Sequence, residues 1–342
     1  MRAVVYRVTG APDVLELVER DVPTPGPGEV RVRILVSGVN PTDWKARRGA
    51  APGQSLPFAV VVPGQDGAGV VDAVGAGCRL GVGQRVWVFE AAWQRADGTA
   101  AELVVLPERQ VVALPDHVSL DVGACLGIPA LTAHRTLTVS EGAPSRLYRG
   151  SLQGRTVLVA GGAGAVGHAA IQLARWAGAT VLATVSSDLK GELARVAGAH
   201  YVVNYRAADA VGQVRAAAPD GVDTVVEVSP AVNAALDVAV LAPNGTVAVY
   251  ANNGGDEATV PVRASMTANL RYQFVLVYTV PELAKVHAVE DVSSAARDGA
   301  MPVGAEAGLP LTRFTLDQTA AAHQGVEDNV VGKVLIDVAA PR

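Results

Sequence analysis

The sequence predicts an α/β chain built on a doubly wound parallel sheet, joined to a second domain of antiparallel, barrel-like character. From about Leu120 onward, helix and strand patterns alternate, with strands at 156–160, 180–185, 201–203, 222–228, 245–250 and 273–279, as in a parallel sheet with crossover helices. Before that point, short strand patterns such as Val30-Arg-Val-Arg-Ile-Leu-Val36 and Ala101-Glu-Leu-Val-Val105 are broken by Gly and Pro, as in Pro23-Thr-Pro-Gly-Pro-Gly28, which is antiparallel patterning. The tail is mixed, with a helix around Leu316–Gln324 and a final strand Lys333–Val338.

The length of 342 residues suits about two domains. Half of the residues are hydrophobic and 18% are charged, enough apolar content for large cores. A formal charge of −5 without basic runs argues against nucleic acid or an anionic membrane as partner. No signal peptide opens the chain and no apolar segment is of membrane-spanning length, so the expected location is cytoplasmic. Two cysteines, Cys78 and Cys125, are too few for a disulfide framework or a cysteine-rich zinc site.

The motif that carries chemistry is Thr156-Val-Leu-Val-Ala-Gly-Gly-Ala-Gly-Ala-Val-Gly167, a β-branched run that ends on glycines and passes into a helix. Gly161, Gly164 and Gly167 have the spacing of a dinucleotide fingerprint: a tight turn, a close approach to pyrophosphate, and close packing of helix on strand. The next strand, Thr180–Val185, ends where an NAD-binding unit presents an acid to the ribose 2′-hydroxyl. Here it ends in Ser186-Ser187, and Lys190, Tyr205 and Arg206 follow nearby, a set suited to a 2′-phosphate. The expected cofactor is therefore NADPH. The alternative is that Ser187 caps a helix over 188–197.

Several further blocks occur in order: Gly38-Val-Asn-Pro-Thr-Asp-Trp-Lys45, Pro63-Gly-Gln-Asp-Gly-Ala-Gly-Val-Val71, Gly81-Val-Gly-Gln-Arg-Val-Trp87, Asp97-Gly-Thr-Ala-Ala-Glu102 and Gly127-Ile-Pro-Ala-Leu-Thr-Ala-His-Arg-Thr-Leu137. Together with the glycine fingerprint they resemble the medium-chain dehydrogenase/reductase superfamily, in its zinc-free quinone oxidoreductase (zeta-crystallin-like) branch. The resemblance implies a GroES-like catalytic domain over 1–122 completed by 300–342, a Rossmann NADP-binding domain over 123–299, and a cofactor in the cleft. Zinc-dependent relatives place a cysteine where this chain has Asn40 and a Gly-His-Glu where it has Gly64-Gln65-Asp66, so no metal is expected.

The same resemblance implies the site residues. Asn40 would lie by the nicotinamide ribose and reacting face, Thr132 by the nicotinamide phosphate or ribose, and Gly164, Ala165 and Val166 at the pyrophosphate. Ser186, Lys190 and Tyr205 would meet the 2′-phosphate. Ser229, Tyr250 and Asn252 would line the adenosine and nicotinamide path, and Lys333 would close the cleft or stand solvated. The chain departs from the family where tyrosines are common. Lys45 and His134 stand there instead, and either is a candidate proton donor after hydride addition.

Without a Lewis acid, hydride would go to an acceptor already electron-poor. The favoured reading is an NADPH-dependent quinone reductase. The alternatives are an NADPH-dependent enoyl or alkenal reductase, possibly biosynthetic, and a non-catalytic NADPH-binding protein. The expected partners are a small-molecule electron acceptor and a second copy of the chain, paired along the apolar strand Arg271–Tyr278.

Overall fold

The computed structural model describes residues 1–206 and 209–339. They form two compact units, Met1–Ile128 with the described part of Leu311–Arg342, and Pro129–Pro310. Both divisions fall later than the expected 122/123 and 299/300. Helix Leu120–Cys125 packs on strands of the first unit. The segment after residue 300 is tied to the second unit, where His168 Nε2 bonds the Ala307 carbonyl at 2.8 Å and Gln172 Nε2 donates to the Pro302 carbonyl at 2.9 Å.

In the first unit β1 (Arg2–Val5) and β2 (Glu16–Glu19) form an antiparallel ribbon. Then come β3 (Glu29–Val39), α1 (Pro41–Arg48), β4 (Asp66–Val74), β5 (Arg85–Val88), β6 (Leu103–Pro107), β7 (Val111–Ala113) and α2 (Leu120–Cys125). The longest of these strands, β3, pairs antiparallel with β4 and with β6. Its alternation decides its faces: Val30, Val32 and Ile34 are fully buried, while Arg31 and Arg33 reach the Asp72 carboxylate at 2.7 and 2.6 Å. Helix α1 starts on Pro41, whose missing N–H costs nothing at a first helical position, and Asp43 accepts a hydrogen bond from the Asn40 backbone N–H at 2.7 Å.

The second unit contains α3 (Leu131–Leu137), β8 (Thr156–Ala160), α4 (Ala165–Trp176), β9 (Thr180–Val185), α5 (Asp188–Val196), β10 (Tyr201–Asn204), α6 (Ala210–Ala217), β11 (Val222–Glu227), α7 (Pro230–Val240), β12 (Leu241–Val249), α8 (Val262–Thr267), β13 (Arg271–Phe274) and α9 (Glu282–Arg297). Its sheet is parallel throughout, in the order β10-β9-β8-β11-β12-β13. Chain order reverses between β8 and β11, the switch point of a doubly wound sheet. The strand expected over 273–279 is shorter and earlier. It pairs with β12 only as far as Phe274 opposite Val249, and since β12 ends there the apolar Val277–Thr279 turns into a 3₁₀ helix.

The chain then returns to the first unit with β14 (Leu311–Thr315), α10 (Thr319–Glu327) and β15 (Lys333–Asp337). Strand β15 pairs antiparallel with β3, completing the order β14-β15-β3-β4-β5-β7. The helix expected from Leu316 opens as a 3₁₀ turn, because Thr315 and Gln318 form a capping box there. Among the described residues no helix is long and apolar enough to cross a membrane.

Candidate functional site

In the second unit the fingerprint glycines take separate roles. Gly161 sits at φ +68, a conformation open to glycine, and makes the turn out of β8. A Cβ on Gly167 would stand 2.4 Å from the Gly161 carbonyl, so only glycine lets α4 pack that closely on the turn. Gly164 caps α4 and is exposed, and a Cβ there would meet nothing nearer than 3.5 Å. The open surface at Gly164 and the unshared N–H groups of Ala165, Val166 and Gly167 at the first turn make a cradle for a phosphate dianion.

Tyr205, Ser186, Gly161, Ser229 and Tyr250 follow the C-terminal ends of successive parallel strands, so they line the carboxyl end of the sheet. The Tyr205 N–H donates to the Val185 carbonyl at 3.0 Å, which sets the exposed Tyr205 beside the end of β9. Ser186 and Lys190 are half-buried there, and no carboxylate ends β9. Ser187 is the N-cap of α5, its hydroxyl accepting the Lys190 N–H at 3.4 Å, so the capping reading holds. The Ser229 hydroxyl donates to the Asn253 carbonyl at 2.7 Å, and exposed Asn252 pairs with Asp256. Thr132 is buried on α3.

His134 is corrected. It is 1% exposed, with Nε2 2.9 Å from Asp291 Oδ2, while Arg146 holds the other Asp291 oxygen at 2.6 Å. Burial pushes the imidazole below its ordinary pKa in spite of the Asp291 carboxylate. The imidazole ties α3 to α9 through its bond to Asp291.

In the first unit Lys45 is exposed in the last turn of α1, its ammonium 5.9 Å from the centre of the Trp44 ring. Trp87 is wholly buried and belongs to the core. For Lys333 the solvated alternative is corrected: it is 2% exposed with Nζ donating to Asn40 Oδ1 at 2.6 Å. Asn40, also 2% exposed, donates through Nδ2 to Asp66 Oδ2 at 2.7 Å. Asp66 accepts from the Ile128 N–H at 2.9 Å. Burial raises Asp66 to about 6, against the lowering charge of Lys333, and raises Asp43 to about 7.

Asp66 and Asp43 were not singled out from the sequence. The signal for Asp43 was present in the Asn40-Pro-Thr-Asp43 capping pattern, whereas nothing local marks Asp66 as buried. Among the described residues no group of three or more His, Cys, Asp and Glu could hold a metal ion.

Residues 26–116 match the alcohol dehydrogenase GroES-like domain, and residues 165–294 match the zinc-binding dehydrogenase family. The chain is 34% identical over 262 residues to a quinone oxidoreductase of Rattus norvegicus, covering 75% of each chain. It is 28% identical to the quinone oxidoreductase of Pongo abelii over 98% of this chain and 97% of that one. Among solved structures, an NAD-dependent alcohol dehydrogenase is similar with a TM-score of 0.85 at 30% identity, covering 99% of this chain and 100% of that chain. A mycobacterial protein complexed with NADPH is similar with a TM-score of 0.80, also at 30% identity and with the same coverage. With a nicotinamide-cofactor cradle in one unit and a GroES-like domain in the other, the chain is an oxidoreductase of the medium-chain dehydrogenase/reductase superfamily and belongs to its quinone oxidoreductase, zeta-crystallin-like branch.

Proposed function

We propose that this oxidoreductase uses NADPH, needs no metal, and passes hydride to a quinone. The observation that carries the reading is the state of Asn40. At the position where zinc-dependent relatives carry a thiolate, a buried carboxamide has both of its polar ends taken, by Lys333 and by Asp66. Amides and an ammonium are poor zinc ligands, so these residues offer no Lewis-acid metal to polarise a simple carbonyl, which favours an acceptor already electron-poor. The relatives named quinone oxidoreductases support that acceptor class.

NADPH supplies the hydride when bound. This chain's own residues hold and orient it: the first turn of α4 takes the pyrophosphate, and the β9 end takes the 2′-phosphate through Ser186, Lys190 and Tyr205. The absence of an acid at the end of β9 favours NADPH over NADH, because a carboxylate would repel the extra phosphate.

A second reading, reduction of an enal or enone, is favoured by exposed Lys45, which can return a proton to an enolate now that His134 is committed to Asp291. Oxidation of NADPH followed with a benzoquinone, an α,β-unsaturated ketone and a saturated ketone separates these readings. Turnover with the quinone is expected. Turnover with the saturated ketone alone would overturn the metal-free mechanism, and silence with all three despite tight NADPH binding would favour a non-catalytic role. Phe274, 70% exposed on the edge strand β13, and Leu276, 54% exposed just beyond it, support pairing with a second copy; a single-chain mass by light scattering would refute this. Free thiols at Cys78 and Cys125 suit a cytoplasmic location, which fractionation of the native host tests.

A further inference from the structure

The buried charges of the first unit do more than fill space. Lys333 opens β15, and its stem passes beside Gly38 of β3, where a Cβ would lie 3.2 Å from Lys333 Cε and 2.2 Å from the Ala124 carbonyl. Asp66 opens β4, and its carboxylate lies against Gly127, where a Cβ would come within 2.1 Å of Oδ1. Two glycines thus leave room for one ammonium and one carboxylate, and Asn40 bridges them.

A carboxamide has an acceptor end and a donor end of almost identical shape, so packing alone selects its orientation weakly. Here two charges select it, along with the neutral Gly38 carbonyl, which accepts from Nδ2 at 3.4 Å. The ammonium holds Oδ1 at 2.6 Å and the carboxylate holds Nδ2 at 2.7 Å, whereas a flipped amide would set NH₂ against ammonium and C=O against carboxylate. The backbone at Asn40 is held as well, its N–H given to Asp43. Burying an ammonium and carboxylates is costly, and such pairs contribute more to uniqueness of arrangement than to stability.

We propose that Lys333 and Asp66 are positioning residues that fix the direction of the Asn40 carboxamide, and that Lys333 acts on the reaction through Asn40 without touching the cofactor. This rests on the reading of Asn40 as the residue beside the nicotinamide ribose.

The first test needs no turnover. In protein labelled with ¹⁵N-asparagine, the Asn40 side-chain amide, assigned by its loss in Asn40→Ala, should give one exchange-protected pair of resonances. Lys333→Met and Asp66→Asn should each lose that protection or split the pair. An unchanged pair in both variants would overturn the proposal. Asp66→Asn keeps the shape of the side chain and so remains informative if Lys333→Met folds poorly.

The second test reads quinone reduction. Lys333→Met should lower kcat by about tenfold or more, in the range that misplacement of a reacting group produces, while leaving the dissociation constant for NADPH within about twofold. In the Asn40→Ala background the same substitution should change kcat by less than about twofold, since residues acting as a unit are not additive. An undiminished loss in that background, or a tenfold weaker affinity for NADPH, would show direct action on the cofactor and overturn the proposal. Failure of the unmodified protein to reduce any acceptor would count against the proposed function, while the amide resonances would still decide the positioning role.

Discussion

Replacing Asp237 by asparagine should make the protein more stable at neutral and alkaline pH. Asp237 lies on α7, 1% exposed, and the side chain its carboxyl meets by hydrogen bond is that of Glu227 at the end of β11, wholly buried. The Tyr272 hydroxyl on β13, which lacks a partner, faces the same pair. Glu227 has the better claim to the charge, because the Ser229 N–H and Asn233 Nδ2 both donate to it. Burial first, and the Glu227 charge second, therefore push Asp237 well above the ordinary carboxyl range. In the unfolded chain Asp237 ionises freely above about pH 4, whereas the native protein retains its proton. The native state binds more protons, so stability falls as pH rises through this window. Two carboxylates at about 4 Å repel by about 4 kcal/mol at an effective dielectric of 20, and burial of the charge adds to that cost. Asp237→Asn keeps the volume without the proton requirement and should recover about 2 kcal/mol at pH 8, or about 4 to 8 °C in Tm for a unit of this size. The gain should shrink as pH falls and vanish below about pH 4. Urea unfolding of both proteins across pH 4.5 to 8.5 measures the difference, and a gain that does not grow with pH would refute the reasoning.

Lys190→Ala should erase most of a preference for NADPH over NADH that is at least about tenfold, or 1.4 kcal/mol, in the unmodified protein; equal dissociation constants for the two cofactors before mutation would defeat the assignment. Elemental analysis should find no stoichiometric zinc, and chelators should leave activity intact; one zinc per chain, lost together with activity, would contradict the Asn40 argument. Burial pushes His168 down to about 4 and His323 to about 3, so both are neutral when folded and protonate more readily when unfolded. The part of the stability that these two histidines contribute should accordingly be complete above about pH 6.5 and fall as pH drops toward those values, with His323→Gln flattening the decline by up to about 1.4 kcal/mol per pH unit. A parallel decline in that variant would remove His323 from the account.

What was legible in the sequence was what local chain chemistry determines. The strand, turn and helix around Gly161 could be read residue by residue, because a positive φ and a close helix approach are demands on single positions. Strands β8, β9 and β10 were legible as apolar runs within a parallel sheet. Strand β13 was overextended, since Val275-Leu-Val-Tyr278 has the composition of a strand but its neighbour β12 ends at Val249. Whether a residue finds a ladder partner is a property of the neighbouring strand, which propensity does not record.

The side chains misplaced by sequence reasoning share one physical feature. His134 is held by Asp291, 157 residues away, and Lys333 by Asn40, 293 residues away. A histidine or a lysine is titratable and reachable by default, and only a distant partner makes its burial tolerable. The same reasoning explains why Asp66 passed unnoticed: an aspartate among Gly64, Gly67 and Gly69 looks like a turn residue until Asn40, Lys333 and the Ile128 N–H close around it. The buried polar groups were the part of the site that the sequence concealed. They are also the part that distinguishes a carboxamide held between two charges from a ligand waiting for a metal.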